Sequence, residues 1–360
     1  MVDRVLSINP GATSTKIGYF ENDELKLKQE FTYSYDDIAT YETIMEQKDF
    51  RFKDISEWLK KEGLSKGSLD GVVGRGGLLP PVNAGAYIVN DAIIDCLTHR
   101  PVLEHASNLG AGLAREIAEE FGTTDCEAYI YDPVTVDQMM DVARISGVAE
   151  IERKSIGHVL NMRAVCMKIS EEELDKPYEE VNLIVAHVGG GSSASVHKRG
   201  RMIDLISDDE GLFSTERSGG LPIKEVLPMC YEYTQKEMTD LTRKRGGLVS
   251  YFGTNDARIV EEKADNGDEK AQLVLEAMAY QISKTIGELA TVVKGDVDGV
   301  ILTGGLAHSK MITDLVKERT SFLAPFYTVP GEAELLALAK GARRVITGQE
   351  EAQVFTEELQ

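Results

Sequence analysis

The order of apolar and polar residues divides the chain into two halves that follow one pattern. Residues 2–30 contain three short apolar runs, separated by a Gly/Ser/Thr turn and a charged turn, and residues 182–207 repeat this arrangement. Such runs are typical of a β-meander. Each meander is followed by a short buried strand and a Gly-Gly turn, DGVVGRGGL at 70–78 and DGVILTGGL at 298–306. Gly-Gly turns are common in α/β proteins, so coincidence is the alternative, but two elements recurring in one order predict a duplicated α/β architecture.

Apolar residues at helical spacing predict α-helices between and after these strands. The clearest examples are residues 111–121, 270–293 and 332–346. In the longest of them, one apolar stripe is predicted to face a core, and it consists of Leu273, Ala277, Tyr280, Ile282, Ile286, Leu289 and Val293. Strands and helices are therefore predicted in both halves of the chain.

A chain of 360 residues is too long for one ordinary hydrophobic core, so two domains are expected. Residues 177–181 separate an acidic helix from the second meander. We therefore predict an N-terminal lobe over residues 1–178, braced by a C-terminal helix at about 335–360, and a C-terminal lobe over residues 179–334.

Composition excludes several classes of partner. The chain carries 39 Lys and Arg against 60 Asp and Glu, a net charge of −21, and such a surface repels nucleic acid and anionic lipid. Its four cysteines form no CxxC pair, so neither a zinc site nor a disulfide framework is predicted. No secretion signal opens the sequence, and no apolar run reaches the roughly 20 residues that a membrane-spanning helix needs. We therefore expect a cytoplasmic protein.

The two glycine-rich turns that follow the first strand of each meander are candidate phosphate sites. Tight turns of Gly, Ser and Thr expose backbone N–H groups that can cradle phosphate oxygens. The first turn lies between Asn9, an amide donor, and Lys16, a compact positive charge. The second turn, 189–193, is GGGSS and lets a nucleotide approach the backbone. Hairpin turns without a ligand are the alternative, but two such turns predict a nucleotide held from two lobes.

Two glycine-flanked arginines add to this prediction. Arg75 precedes Gly76 and Gly77, and Arg217 precedes Ser218-Gly219-Gly220. A loop arginine is usually only solvated. In phosphoryl transfer, however, planar cations stabilise the charge on the transferring group, which is the role that these two positions suggest.

These motifs occur in a family-specific order. The first turn lies in VLSINPGATSTK, and it is followed by VVGRGGLLPP, LEHASN, YDPV, RKSIGH, HVGGGSS, TERSGGLP, GTNDAR, ILTGGLAHS and PGEAELLALAKGA. From about residue 4 to residue 347 the chain resembles the acetate/butyrate kinase group of the actin, heat-shock ATPase and sugar-kinase superfamily, and within it the butyrate kinases. The resemblance implies an α/β, two-lobed actin-like ATPase (ribonuclease H-like) fold, with duplicated mixed-sheet domains flanking a nucleotide cleft. It places the acyl site and the first phosphate loop in the N-terminal lobe, and nucleotide binding in the C-terminal lobe.

The resemblance also implies roles for individual residues. The expected nucleotide contacts are Asn9, Ser14, Lys16, His187, Gly189, Gly190, Gly191, Ser192, Asp256, Arg258, Gly304 and Gly305. The expected catalytic residues are Arg75, Arg217, His158 and Asp132, with Arg75 and His105 on the substrate side. Asp132 and Glu332 are the expected magnesium-linked carboxylates, and Glu334 is the alternative to Glu332.

Each of these side chains has a plainer interpretation. His158 is equally a buried histidine bonded to backbone, Asp132 a turn residue before proline, and His105 a helix-start residue. Asp256 has the right position to cap a helix that begins at Ala257, and His187 to support the glycine turn without touching a ligand.

The implied reaction is reversible phosphoryl transfer between ATP and a short-chain fatty acid, with Mg²⁺. Butyrate is the first choice of acid, and a branched-chain acid, acetate and propionate are the alternatives. A non-metabolic actin-like ATPase, such as a chaperone, filament protein or regulator, is the candidate from another class. The resemblance further suggests a homodimer through the second lobe, or a larger assembly.

Overall fold

The computed structural model describes residues 2–356 and contains both strands and helices. The strands are β1 (Arg4–Pro10), β2 (Ser14–Glu21), β3 (Glu24–Thr32), β4 (Leu69–Arg75), β5 (Ala86–Ile88), β6 (Gly122–Tyr131), β7 (Asn182–Val188), β8 (Ser192–Lys198), β9 (Arg201–Ile206), β10 (Gly299–Gly304), β11 (Phe326–Pro330) and β12 (Gln353–Val354). The helices are α1 (Tyr35–Ile38), α2 (Lys48–Lys61), α3 (Asp91–His99), α4 (Leu109–Phe121), α5 (Asp141–Arg144), α6 (Val159–Glu172), α7 (Ile223–Glu232), α8 (Gln235–Arg243), α9 (Gly247–Phe252), α10 (Ala257–Asp265), α11 (Glu269–Val292), α12 (Lys310–Thr320) and α13 (Glu334–Ile346).

The chain forms two compact units. The terminal unit combines Met1–Asp137 with Ala333–Gln360, and the central unit is the continuous segment Gln138–Glu332. This division differs from the boundary predicted at 178/179. Residues 138–178 belong with the central unit because α6 packs against β7 and β10, and because Met140 N donates a hydrogen bond to Ile203 O.

The terminal unit is built on a seven-stranded mixed sheet in the order β12-β5-β6-β4-β1-β2-β3. β1, β2 and β3 form the antiparallel meander, and β1, β4 and β6 run parallel to one another. β1 lies between two neighbours, and its last six residues are buried, as its nearly unbroken apolar run predicts. α2, α3 and α4 contribute Ile55, Ile93 and Leu113 to the buried core beside this sheet.

The central unit repeats this arrangement in a five-stranded sheet, β11-β10-β7-β8-β9. β7, β8 and β9 form the second antiparallel meander, and β10 runs parallel to β7 as β4 does to β1. The predicted duplication and the two mixed sheets are therefore confirmed. The three predicted helices are also present, as α4, α11 and α13, each starting within two residues of its predicted bound.

Two corrections concern the predicted helices. In α11, Leu273 and Tyr280 are 66% and 51% exposed, so the predicted stripe is wrong at these positions. The buried face instead contains Ala271, Leu275 and Met278, and Leu273 lies about 200° around the helix from Ala271 at 100° per residue. At the C-terminus, α13 ends at Ile346, before the end of the predicted range, and the last four positions of that range lie outside the described residues. Among residues 2–356, no helix is both long and apolar enough to cross a bilayer.

Candidate functional site

The first glycine-containing turn is held in shape by an arginine that sequence reasoning missed. Gly11 N donates to Ser14 O at 2.7 Å and closes the turn between β1 and β2. Arg51, on α2, is fully buried, and its guanidinium donates to Gly11 O at 2.8 Å and to Ala12 O at 3.1 Å. Lys16 follows on β2 with an exposed side chain, 3.7 Å from Glu30. Hydrogen bonds from the buried Arg51 therefore hold the turn in place, and the charged Lys16 side chain beside it is exposed to solvent.

Three predicted residues follow the carboxyl ends of adjacent parallel strands in the terminal unit. Asn9 lies near the end of β1, Arg75 ends β4, and Asp132 comes directly after β6. Parallel strands place their carboxyl ends at one edge of a sheet, and this is where open α/β sheets bind ligands. Arg75 Nη1 donates to Asn9 Oδ1 at 3.3 Å, so two of the three are in direct contact.

Glu334, the first residue of α13, joins this group. Its carboxylate lies 2.8 Å from Arg75 Nη1 and accepts a hydrogen bond from the Asn9 amide. The Arg75 and Glu334 side chains are 25% and 19% exposed, so the pair is shielded but reachable. Glu334 is thus engaged in positioning Arg75, which makes it a poorer candidate for the metal than Glu332.

His105 and Asp132 both organise the backbone around them. His105 precedes the 3₁₀ turn Ala106–Asn108, and its Nδ1 accepts from Ser107 N at 3.1 Å. Burial lowers the pKa of His105, and the charge of Arg75 lowers it further. Asp132 is buried at φ +41°, and its Oδ1 accepts from Gly85 N at 2.7 Å. An aspartate in the left-handed region is strained, a feature that clusters at functional sites.

In the central unit, two histidines stack beside the second glycine turn. His158 precedes α6 and His187 lies near the end of β7, with ring centroids 3.9 Å apart and planes 7° apart. His158 Nδ1 is 2.9 Å from Ser193 Oγ. His187 Nδ1 is 2.9 Å from the amide nitrogen of Asn161, another residue that sequence reasoning missed. Because that amide donates, Nδ1 is the acceptor and Nε2 carries the proton.

Glu332 lies at the other side of the His187 ring. Its Oε1 is 3.0 Å from His187 Nε2, an ion-pair distance, although the two groups are not aligned as a hydrogen bond. The His187 side chain is 1% exposed and that of Glu332 is 45% exposed. The histidine therefore positions a carboxylate that still faces solvent.

Arg217 approaches the same turn. A Cβ added to Gly191 would lie 3.1 Å from Arg217 Nε and 3.5 Å from His158 Cε1, so the missing side chain gives both groups access to the turn. Asp208 Oδ2 lies 3.0 Å from Arg217 Nε and 3.2 Å from Arg243 Nη2 on α8. One guanidinium and one imidazole thus flank the backbone of the glycine turn.

Ser214 connects the glycine turn to the arginine. Its hydroxyl accepts from Arg217 N at 3.0 Å and donates to Gly190 O. Ser214 is completely buried, so this link is shielded from water. The role of Ser214 could not be predicted from the sequence, because a serine two residues before Glu216 is not part of a distinctive motif.

A cavity of about 810 Å³ in the central unit begins at the glycine turn. Its lining includes the predicted Gly189, Gly190, Asp256, Arg258 and Gly305, together with Thr215, Glu216, Asn255, Glu261, His308 and Ser309. The predicted Ser192 and Gly304 are buried at the ends of the adjoining strands β8 and β10. The structure therefore brings five of the twelve predicted nucleotide residues to one cavity and adds polar residues that the sequence did not single out.

Asp256 and Arg258 are bound to each other in this cavity. Asp256 Oδ1 accepts from Arg258 N at 3.0 Å and so caps α10, and Asp256 Oδ2 accepts from Arg258 Nη2 at 2.7 Å. Hydrogen bonding to the Arg258 side chain lowers the pKa of Asp256. The helix-cap interpretation of Asp256 is therefore correct as far as its protein contacts go.

A second cavity of about 440 Å³ lies in the terminal unit, lined by Ile44, Leu97, Glu104, Asn108 and their neighbours. Neither Arg75 nor His105 lines it, and its Glu104 carboxylate accepts from Ile44 N at 2.8 Å. A site without a cation is poorly suited to an anionic substrate, so this cavity is not a candidate for the acyl site.

Comparisons with known proteins identify the family and the fold of this chain. The sequence model of the acetokinase family matches residues 158–356. The chain is 46% identical to butyrate kinase 2 of Clostridium acetobutylicum and 44% identical to a probable butyrate kinase of Coprothermobacter proteolyticus, and each match covers 98% of this chain and 99% of the relative. Among solved structures, acetate kinase of Porphyromonas gingivalis superimposes with a TM-score of 0.76 at 18% identity, covering 97% of this chain and 100% of that chain. That likeness confirms the predicted actin-like fold.

Proposed function

This chain belongs to the acetokinase family, and from that premise we propose that it transfers a phosphoryl group reversibly between ATP and butyrate, giving butyryl phosphate and ADP. The observation that carries the proposal is the approach of Arg217 and His158 to the backbone of the 189–191 glycine turn. A glycine turn flanked by a guanidinium and an imidazole suits a phosphoryl group that gains charge on its outer oxygens.

The acceptor needs no general base. A carboxylate is ionised near neutral pH and is already a nucleophile. The protein must instead offset the repulsion between two anions and hold them in line. In this proposal Arg75 and His105 of the terminal unit bind the carboxylate, while Arg217 and His158 of the central unit bind the transferring phosphoryl group.

The nucleotide occupies the 810 Å³ cavity in this proposal. Its phosphates accept hydrogen bonds from the glycine turn, and Lys16 with the first turn holds the terminal phosphate. Asp256 and Arg258 line the nucleoside end.

Magnesium is part of the proposal, and the residues present fit it. Mg²⁺ is usually held by one or two carboxylates plus phosphate oxygens and water. Glu332, with its solvent-facing carboxylate, and Asp132 would hold the ion, and the ion would supply charge neutralisation on the phosphates.

The choice of acid is tested by trapping acyl phosphate with hydroxylamine. Purified protein, ATP and Mg²⁺ are incubated with acetate, propionate, butyrate, isobutyrate or isovalerate. The highest kcat/KM for butyrate supports the proposal. One methylene changes binding by only about 1–3 kcal/mol, so activity on neighbouring acids is expected. A preference for a branched acid, acetate or propionate would make that acid the proposed substrate in place of butyrate. If the protein binds ATP but forms no acyl phosphate with any acid, the regulator or chaperone class would be favoured.

The proposal includes a cytoplasmic homodimer formed through the central unit, or a larger assembly. Neither α7 nor α8 has a buried residue, and Ile223 and Tyr231 on α7 are 71% and 92% exposed. Exposed apolar helix faces of this kind are typical of subunit contacts. Light scattering on the purified protein tests this point, and a monomer across the working concentration range would contradict it.

A further inference from the structure

One carboxylate in the 810 Å³ cavity has no role in the function described so far. Glu261 lies on α10 and lines the cavity, and its Oε1 is buried. Among residues 2–356, no group donates a hydrogen bond to this oxygen. Buried carboxylate oxygens are costly unless they accept hydrogen bonds, so this atom is suited to a donor that arrives with a ligand.

Among residues 2–356, no Lys, Arg or His forms an ion pair with Glu261. Arg258 is one helical turn earlier on α10 and on the same side of the helix. Its Nε and Nη2 both donate to Asp256, at 2.9 and 2.7 Å. The second carboxylate of the cavity, Glu216, accepts from Asn255 Nδ2 at 2.6 Å. Of the three carboxylates in the lining, Glu261 is thus the one with a buried oxygen that no described donor reaches.

The two ends of the cavity differ in hydrogen-bonding character. At the 189–191 turn, backbone N–H groups and nearby cations favour phosphate. At α10, a negative acceptor repels phosphate and accepts from N–H or O–H groups. In a nucleotide, such donors occur on the nucleoside alone, as the ribose hydroxyls and the exocyclic amine of the base.

We propose that Glu261 accepts a hydrogen bond from the nucleoside part of the nucleotide, and so sets the orientation in which ATP or ADP enters the cavity. This inference rests on the proposed function, because it takes the ligand of the cavity to be a nucleotide. It makes Glu261 a determinant of nucleotide affinity that the sequence motifs did not indicate.

The test is ADP binding by calorimetry to wild type, Glu261→Gln and the matched control Glu262→Gln. Glu262 is the exposed neighbour on the same helix, so its change alters the net charge equally. A hydrogen bond to a charged acceptor is stronger than one to a neutral acceptor, so the Kd for ADP should rise about fivefold to tenfold in Glu261→Gln. The Kd should not change in Glu262→Gln. Without nucleotide, Glu261→Gln should melt at the same temperature as wild type or higher, because the change breaks no existing bond.

Three analogues identify the donor. These are 2′-deoxy-ADP, 3′-deoxy-ADP and purine riboside diphosphate, which lacks the amine. The analogue that lacks the donor should bind wild type about tenfold more weakly than ADP does. Its affinity for Glu261→Gln should be little lower than its affinity for wild type. Equal ADP affinity in the Glu261→Gln and Glu262→Gln variants, or wild-type affinity for all three analogues, overturns the inference and leaves the kinase assignment intact. Wild type that binds no ADP and forms no acyl phosphate overturns the proposed function itself.

Discussion

Replacing Gly247 with alanine should lower activity, although Gly247 itself is not one of the proposed site residues. Gly247 begins α9 at φ +53°, and an added Cβ would lie 1.8 Å from Ser214 O. Real Cβ contacts stay beyond 3.0 Å, so the backbones must separate by at least 1.2 Å (3.0 − 1.8). Ser214 holds both Arg217 N and Gly190 O. The displacement therefore reaches the arginine and the phosphate turn together.

The expected loss of activity is large. A misplacement of about 1 Å can lower a rate about 10²-fold, so kcat of Gly247→Ala should fall by about two orders of magnitude. Alanine in the left-handed region also costs about 1–2 kcal/mol of stability. Hydroxylamine trapping gives kcat, and thermal unfolding gives the stability.

Gly253→Ala is the matched control. Gly253 ends the same helix at φ +70°, and no atom lies within 4 Å of its added Cβ. It carries the same backbone cost without a collision, so it should lower the melting temperature by about 2–4 °C and leave kcat unchanged. If folded Gly247→Ala matched the kcat of Gly253→Ala, the reasoning would be refuted.

If Gly247→Ala fails to fold, a less disruptive variant tests the same reasoning. Ser214→Ala removes the hydroxyl that accepts from Arg217 N and leaves that partly buried donor unpaired, at a cost of about 1–3 kcal/mol. Its kcat should fall about tenfold. Wild-type kcat in this variant would show that the placement of the turn does not matter.

Three further outcomes are expected. Arg217→Ala should lower kcat about 10³-fold and change the KM for ATP little, as steady-state kinetics will show, because the guanidinium acts on the transferring group; unchanged turnover would exclude that role. Glu332→Gln should raise the Mg²⁺ concentration for half-maximal activity about tenfold and Glu334→Gln should not, and the reverse pattern would assign the metal to Glu334. Burial, with a smaller contribution from the charge of Arg163, lowers the pKa of His197 to about 3. Its unfolded pKa is near 6.5, so the unfolded state binds the extra proton below pH 6.5. Urea unfolding at pH 7, 6 and 5 should show stability lost as pH falls, by up to about 1.4 kcal/mol per unit from this group, and a smaller slope in His197→Gln; equal slopes would contradict this.

Local pattern sufficed to predict the elements that place the site. Apolar runs with glycine turns have a short-range signature, so both meanders and both strand-Gly-Gly units could be predicted. Asn9 and Arg75 lie at or near the ends of two of these strands, and parallel strands bring their ends together without further information. Asp132 follows β6, which the sequence analysis did not predict as a strand. The pattern therefore sufficed to place Asn9 and Arg75 at one edge of the terminal sheet.

Contacts between distant segments could not be predicted in this way. Arg51 binds a turn 40 residues earlier, and Asn161 binds a histidine 26 residues later. Neither pair has a characteristic spacing, because three-dimensional packing alone brings them together. The same limit applies to α11, where Leu273 and Ala271 are both apolar and only the position of the sheet decides which one is buried. It also applies to the unit boundary, which depends on where α6 packs.

The terminal unit consists of two segments that are distant in sequence, and this affects how the protein folds during synthesis. α13 covers one face of its sheet, where a Cβ on Gly71 would lie 2.7 Å from Ile346 Cδ1 and Arg343 lies 2.9 Å from Asp3. A ribosome delivers β1 to β6 before the central unit and α13 after it, so one face of the nascent sheet stays uncovered while the whole central unit is translated. The central unit is continuous and emerges whole before α13 does. It can therefore fold as a unit while the terminal sheet still lacks the helix that covers this face.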